Sequence, residues 1–197
     1  MTKLDKSNAD KVKLDLIAVE GVDEVGKSTA IKYLSNKLET LNPLVTNVWG
    51  HAGIMGREAY KLISTGACSP ELIYHMAVAG RLLALPKLKE HNGIILADRW
   101  SASTFAYNGY FDVTSQEPIS WLYLSSDKHH TGDDREVSGM DEYSRQSERR
   151  TQLLARYNQY FKNRTNVTHI KNNNTLDEFY AQLDAYAEYI NDTFNKL

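Results

Sequence analysis

The sequence predicts an α/β fold, a five-stranded parallel sheet with helices on both of its faces. Three observations carry this expectation. The glycine-rich stretch Gly21-Val22-Asp23-Glu24-Val25-Gly26-Lys27-Ser28 joins a short apolar run to an amphipathic one. Short apolar runs alternate with longer stretches of helical period along the rest of the chain. The run Gly93-Ile94-Ile95-Leu96-Ala97 is continuously apolar rather than alternating, which is the pattern of a strand buried on both sides.

Taken in order, residues 1–12 are polar, charged and aperiodic, and are expected to form a loose tail before a single domain over 13–197. Residues 14–19 read as the first strand. The helix after the glycine stretch, residues 29–41, places Ile31, Leu34, Leu38 and Leu41 on one face. A second strand follows Pro43 over residues 44–49, then a short helix over 57–64. Ser69-Pro70-Glu71 starts a helix with its cap first and proline in the first turn, and Pro86 should kink or end it. The third strand, 93–97, stops at Asp98-Arg99. Residues 121–124 and 167–170 are the fourth and fifth strands. Between them lie a polar loop, 125–139, and a charged helix, 141–161, together giving a lid at about 125–150. The last helix, 175–194, aligns Leu176, Phe179, Leu183, Tyr186 and Ile190.

The glycine stretch is a full G-x-x-x-x-G-K-[ST] phosphate-binding loop, set between strand and helix as that motif requires. This makes the expected fold the three-layer fold of P-loop NTPases. Backbone N–H groups from Gly21, Val22, Asp23, Glu24, Val25 and Gly26, with the first helical turn at Lys27, Ser28 and Thr29, would cradle a triphosphate. Lys27 would reach its β- and γ-phosphates, and the Ser28 hydroxyl would sit on Mg²⁺. The net charge of −2 lacks the basic footprint of a stable nucleic-acid complex. One cysteine, Cys68, leaves no internal disulfide and suits a reducing, cytoplasmic setting. No apolar run is long enough to span a bilayer and the N-terminus lacks the apolar core of a signal peptide, so no membrane partner is expected.

A second constellation is Asp98-Arg99-Trp100-Ser101-Ala102-Ser103-Thr104-Phe105-Ala106-Tyr107-Asn108-Gly109. It resembles the D-R-[YH]-x-x-S-x-x-A-[YF]-x-G stretch of thymidylate kinases. Residues Val19 to Thr29 are similar to that family's E-G-x-[DE]-x-x-G-K-[ST]-T form. The resemblance runs from about Leu14 to the C-terminal helix. It implies ATP with Mg²⁺ as donor and a pyrimidine deoxynucleoside monophosphate, dTMP, as acceptor. Asp98, at a strand tip, suits Mg²⁺, and Arg99 would bridge the two substrates' phosphates with its bidentate fork, unless the pair is a plain strand-end ion pair. The family's pattern gives Asp23 the acceptor's sugar hydroxyl, Tyr107 the sugar 2′ edge and Arg81 the base, with Ser103 supporting the acceptor. The plainer readings are a turn aspartate, a core or rim tyrosine and a solvated helix arginine. Glu24 stands where some members carry an arginine, so the transferring phosphoryl group needs charge from the lid. Arg135 matches the family's lid D-R-x-E, and Arg145 is the next candidate. Arg149 and Arg150 read as exposed residues paired with Glu142 and Glu148.

Three departures bear on the acceptor. The family's phosphate-clamping arginine after the second strand is absent, leaving His51 or Arg57 as substitutes. The base-stacking aromatic is replaced by Ala77, with Tyr74 or Trp49 as alternative faces. Only residues 110–120 separate Gly109 from the fourth strand, where the family inserts a helix that often helps form a homodimer; a homodimer remains open here. The compact form is compatible with a viral or phage member. Two other readings stand beside the first. One is a P-loop kinase for another acceptor: dUMP, a modified deoxynucleotide, a nucleoside or a DNA base. The other is a GTPase-like switch, for which Asn36-Lys37-Leu38-Glu39 lies in the wrong place and Asp98-Arg99-Trp100-Ser101 lacks the glycine.

Overall fold

The computed structural model describes residues 14–47, 57–59, 61–62, 65, 68–112, 116–127 and 147–194. The tail 1–12, Trp49, His51, Arg135, Arg145 and most of the lid expected at 125–150 lie outside the described residues.

Five strands form one parallel sheet in the order β2-β3-β1-β4-β5. They are β1 (Leu16–Glu20), β2 (Leu44–Asn47), β3 (Ile95–Asp98), β4 (Ser120–Ser125) and β5 (Val167–Lys171). The helices are α1 (Lys27–Lys37), α2 (Pro70–Lys89), α3 (Ser101–Asn108), α4 (Ser147–Phe161) and α5 (Leu176–Phe194). The crossover from β1 to β2 runs one way along the sheet, and those from β2 to β3, β3 to β4 and β4 to β5 run the other. With right-handed crossovers this puts α1 on one face and α2, α3 and α4 on the opposite one. The packing agrees: α1 lies against α5, and α3 lies between α2 and α4. Every residue of β1 and β4 is buried, because these central strands are covered on both sides.

The element ends have local causes. α1 stops at Lys37, short of the expected residue 41, because residues Glu39–Leu41 tighten into a 3₁₀ turn closed by Asn42 at φ 49°. Ser69 caps α2, its hydroxyl accepting from the Leu72 N–H at 3.2 Å. Of the two expected effects, Pro86 does not end α2, which runs on to Lys89. Pro86 and Leu82, whose carbonyl loses its helical partner there, both face solvent, so water can satisfy that carbonyl. Thr175 and Glu178 form a reciprocal capping box at the start of α5. No helix among the described residues is long and apolar enough to cross a membrane.

The sheet order places the two sequence motifs side by side. β1 and β3 are hydrogen-bonded neighbours with Val19 opposite Asp98. β1 continues into α1 on one face and β3 into α3 on the other. Their carboxyl ends therefore flank a crevice, where open α/β sheets bind ligands.

Candidate active site

The glycine loop needs its glycines where the structure is tightest. A Cβ on Gly21, at φ 144°, would lie 2.2 Å from the Leu124 carbonyl oxygen. One on Gly26, at φ 95°, would meet the Asn172 amide and the Phe179 ring. Gly26 is the N-cap of α1 and offers no side chain, so the first N–H groups of that helix are left for a ligand. Val22 and Val25 are buried and hold the loop from beneath, while Ser28 and Thr29 are exposed on the first turn of α1. Glu24 adopts φ 62° without being glycine, a strain of about 1 kcal/mol.

Lys27 is buried and folds over its own loop, donating to the Val22 carbonyl at 2.6 Å. Burial, then the nearby Arg99 charge, brings its pKa down to about 8, against the opposing pull of Asp23, Asp98 and Glu20. Ser28 and Asp98 line a cleft of about 550 Å³ between α1 and the ends of β2 and β3. Oδ1 of Asp98 is buried and has no hydrogen-bond partner among the described residues. An orphaned carboxylate oxygen sharing a cleft with an exposed hydroxyl fits a divalent cation that takes its remaining oxygens from phosphate and water.

Arg99 links the two motifs. It sits at φ 69°, turning the chain sharply after β3. Its guanidinium pairs with the Asp23 carboxylate and donates to the Gly21 carbonyl at 3.0 Å and the Ser103 hydroxyl at 3.1 Å. Tyr107 donates to the other Asp23 oxygen at 2.7 Å, and its ring lies 5.2 Å from the Arg99 guanidinium carbon. Burial holds the Tyr107 proton well above the ordinary phenol range. Asp23, Arg99, Ser103 and Tyr107 therefore form one network against the phosphate loop. None is an isolated turn, surface or rim residue.

Two expected placements are corrected. Arg81 is not a solvated helix arginine: it is buried, paired with the equally buried Asp112, and donates to the Thr104 hydroxyl at 2.8 Å. Asp112, just past α3, holds it in the α2–α3 seam, with its guanidinium 5.7 Å from the Trp100 ring. Arg150 is not an exposed partner of Glu142 and Glu148. It is buried and donates to the Asp23 carbonyl at 3.2 Å and the Ser126 carbonyl at 2.9 Å. The spacing of Arg150, Leu153, Tyr157 and Tyr160 was the signal, since all four fall on the buried stripe of α4. Arg57 is exposed on a short helical segment. Tyr74, offered as a stacking face, instead packs against Tyr110 and donates to the Phe111 carbonyl at 3.3 Å, while Ala77 is buried.

Two further residues escaped the sequence reading. Glu20 is fully buried and accepts from the Trp100 N–H at 2.7 Å and the Ser103 N–H at 3.2 Å. Tyr157 reaches the Ser103 hydroxyl at 2.7 Å and donates to the Gly21 carbonyl at 3.2 Å.

No protein-family model matches the chain. Over 103 residues it is 31% identical to a thymidylate kinase of Desulfovibrio desulfuricans, covering 48% of this chain and 47% of the relative. It is 29% identical over 114 residues to a probable thymidylate kinase of Methanococcoides burtonii, covering 55% and 56% of the two chains. The chain thus spans about half the length of the relatives it matches. In solved structures the similarity is broader. A thymidylate kinase from Candida albicans aligns over 90% of this chain and 92% of its own with TM-score 0.73 at 18% identity. One from Ehrlichia chaffeensis aligns over 88% and 97% with TM-score 0.60 at 16% identity. The chain has the P-loop NTPase fold of these enzymes and resembles thymidylate kinases in sequence and in structure.

Proposed function

We propose that the protein is an ATP-dependent nucleoside monophosphate kinase that transfers the γ-phosphoryl group of ATP to dTMP, giving ADP and dTDP. One observation supports this reading above the others. The phosphate loop and the Asp98-Arg99 turn end neighbouring strands, and Arg99 is bonded directly to the loop at Asp23 and Gly21. An acceptor bound at Arg99 would therefore face a donor bound at the loop.

In the proposed reaction an ionised phosphate oxygen of dTMP attacks the γ-phosphorus. The bond from that phosphorus to the β–γ bridging oxygen breaks, and ADP leaves with the electron pair. The attacking oxygen carries no proton to remove, so no general base is needed. The work is positioning and charge neutralisation. The loop N–H groups from Gly21 to Thr29 hold the triphosphate. Lys27 leaves the Val22 carbonyl for the β- and γ-phosphates. Ser28 and Asp98 would hold Mg²⁺, which supplies positive charge to the phosphate oxygens. Arg99 spans donor and acceptor phosphates. Asp23 and Tyr107 take the acceptor's sugar, with Ser103 behind them. His51 or Arg57 is assigned to the acceptor phosphate, and Arg135 and Arg145 to the transferring group when the lid closes.

The test is ADP release from Mg-ATP with dTMP, dUMP, other deoxynucleotides, thymidine and single-stranded DNA as acceptors. Strong stimulation by dTMP is expected, and no stimulation by any of them, or by a modified pyrimidine deoxynucleotide added to the panel, would overturn the kinase assignment. A second reading is favoured by one observation. Arg81, the residue assigned to the base, is already engaged by Asp112 and Thr104. If it stays so, the acceptor is another pyrimidine deoxynucleotide, and a modified base would outperform dTMP in the same assay.

A further inference from the structure

We infer that Glu20 is a positioning residue for the phosphoryl transfer: one buried carboxylate supports both the backbone turn and, through Ser103, the guanidinium of Arg99. The inference rests on the kinase reading for its consequence, though not for its geometry.

Glu20 ends β1 and has no solvent exposure. An ionisable group this deep needs partners, and among the described residues its hydrogen-bond donors all belong to the start of α3. Trp100 is the N-cap of α3 and contributes no side-chain cap. The two N–H groups that a capping box would satisfy, those of Trp100 and Ser103, instead both point to Glu20 Oε1. The carboxylate thus caps α3 from a different strand, at the positive end of that helix.

Arg99 lies in the middle of this arrangement. Its own N–H donates to the Val19 carbonyl at 3.0 Å, and the next N–H along the chain goes to Glu20. Two consecutive residues of β1 thereby grip the chain on either side of the left-handed turn at Arg99, a conformation that a non-glycine residue does not keep unaided. The far end of the side chain is fixed by the same group. Ser103 Oγ donates to Glu20 Oε2 and accepts from Arg99 Nη1 at 3.1 Å. Releasing Glu20 would loosen one side of the turn and the Ser103 support under the guanidinium together, leaving the Asp23 pair and the Gly21 and Val19 carbonyls in place. Burial raises the carboxyl's pKa, opposed by the Ser103 hydroxyl and then by the Arg99 charge.

The hydrogen bonds, rather than the charge, make this arrangement, and that distinction can be tested. In Glu20→Gln the amide oxygen keeps both N–H groups. The amide nitrogen donates to Ser103 Oγ, whose proton turns to Tyr157, already 2.7 Å away. Glu20→Ala removes every contact. The expected result is a kcat lower by about 30-fold or more in Glu20→Ala, with KM for Mg-ATP within about threefold, and recovery in Glu20→Gln to within about fivefold of wild type. Wild-type kcat in Glu20→Ala would overturn the inference. So would Glu20→Gln falling as far as Glu20→Ala while still folded, since charge alone would then be at work. If Glu20→Ala does not fold, Ser103→Ala decides. It keeps both backbone bonds to Glu20 and removes only the hydroxyl under the guanidinium, so kcat should fall about fivefold, and an unchanged kcat would overturn the inference. Amide hydrogen exchange at Trp100 and Ser103 separates this inference from the kinase reading. If wild type turned over no acceptor, the kinase reading would fall. Protection lost in Glu20→Ala and regained in Glu20→Gln would still support the hold on the Arg99 turn, and protection unchanged in Glu20→Ala would overturn it.

Discussion

The donor and acceptor ends proposed for the cleft are held together in different ways. The donor end is one unbroken stretch, Gly21 to Thr29, whose ligand groups are mostly backbone N–H and whose shape follows from local turns and two glycines. The acceptor end is assembled from segments far apart in the chain: Asp23 with Arg99 and Tyr107, and Arg81 with Thr104 and Asp112. At the donor end Lys27 bonds within its own loop, to the Val22 carbonyl, while Asp23 in the same stretch is shared with the acceptor end. At the acceptor end a charged side chain is also a structural joint. Substitutions that touch one end alone should therefore separate into kinetic and structural classes.

The largest kinetic effect is expected at the donor end. Lys27→Ala should lower kcat/KM by roughly 1,000-fold or more by removing a charge from the β- and γ-phosphates. Tm should stay level or rise, since Lys27 is a buried cation that donates to the neutral Val22 carbonyl. Normal turnover in this variant would remove the phosphate loop from the mechanism. Arg99→Ala comes next, because Arg99 belongs to both ends. A kcat loss of about 100-fold is expected, together with a lower Tm as Asp23 loses its ion pair and Ser103 one of its hydrogen bonds. A change in KM alone would make Arg99 a binding residue.

Arg81 tests the acceptor end. Breaking the pair with Arg81→Leu leaves Asp112 buried without its countercharge, and urea titration should show a loss of about 3 kcal/mol. Turnover at saturating acceptor should change by less than about tenfold, since Arg81 is bonded to Asp112 and Thr104 rather than to the proposed phosphate-binding residues. The opposite pattern, full stability with KM for the acceptor greatly raised, would return Arg81 to reading the base.

The same contrast explains what was legible in the sequence. The five strands, the parallel sheet and the phosphate loop came from neighbouring residues, where periodicity and glycine placement act directly. Asp98, Arg99, Ser103 and Tyr107 were legible because they share one short segment. Arg150 was misread because its charged neighbours masked a helical stripe shared with Leu153, Tyr157 and Tyr160. Glu20 was missed since nothing local shows that a glutamate ending an apolar strand meets a helix start some 80 positions later. Asp112 had no motif, and its pairing with Arg81 depends on how α2 and α3 cross. Such contacts are products of topology and become visible only when the sheet order is known.

The smallest effect is a pH dependence confined to Lys27, which tests how far the donor end is dry. Its pKa lies near 8 in the folded protein, below the ordinary lysine value of 10.5. Between these values the unfolded chain binds more protons than the folded one, so the lysine's contribution to stability rises with pH across that window. Below pH 8 the cost of holding the charge in the core is fully present. Relative to Lys27→Met, wild type should therefore be least favoured below pH 8, and the Tm gap should narrow towards pH 10. Activity runs the other way. The free enzyme loses the phosphate-binding charge above pH 8, so kcat/KM for Mg-ATP should fall there. The bound phosphates favour the ammonium form, so the matching limb in kcat should lie higher. Coincident limbs would mean that phosphate does not meet Lys27, and the difference between the two ends of the cleft would then need another physical basis.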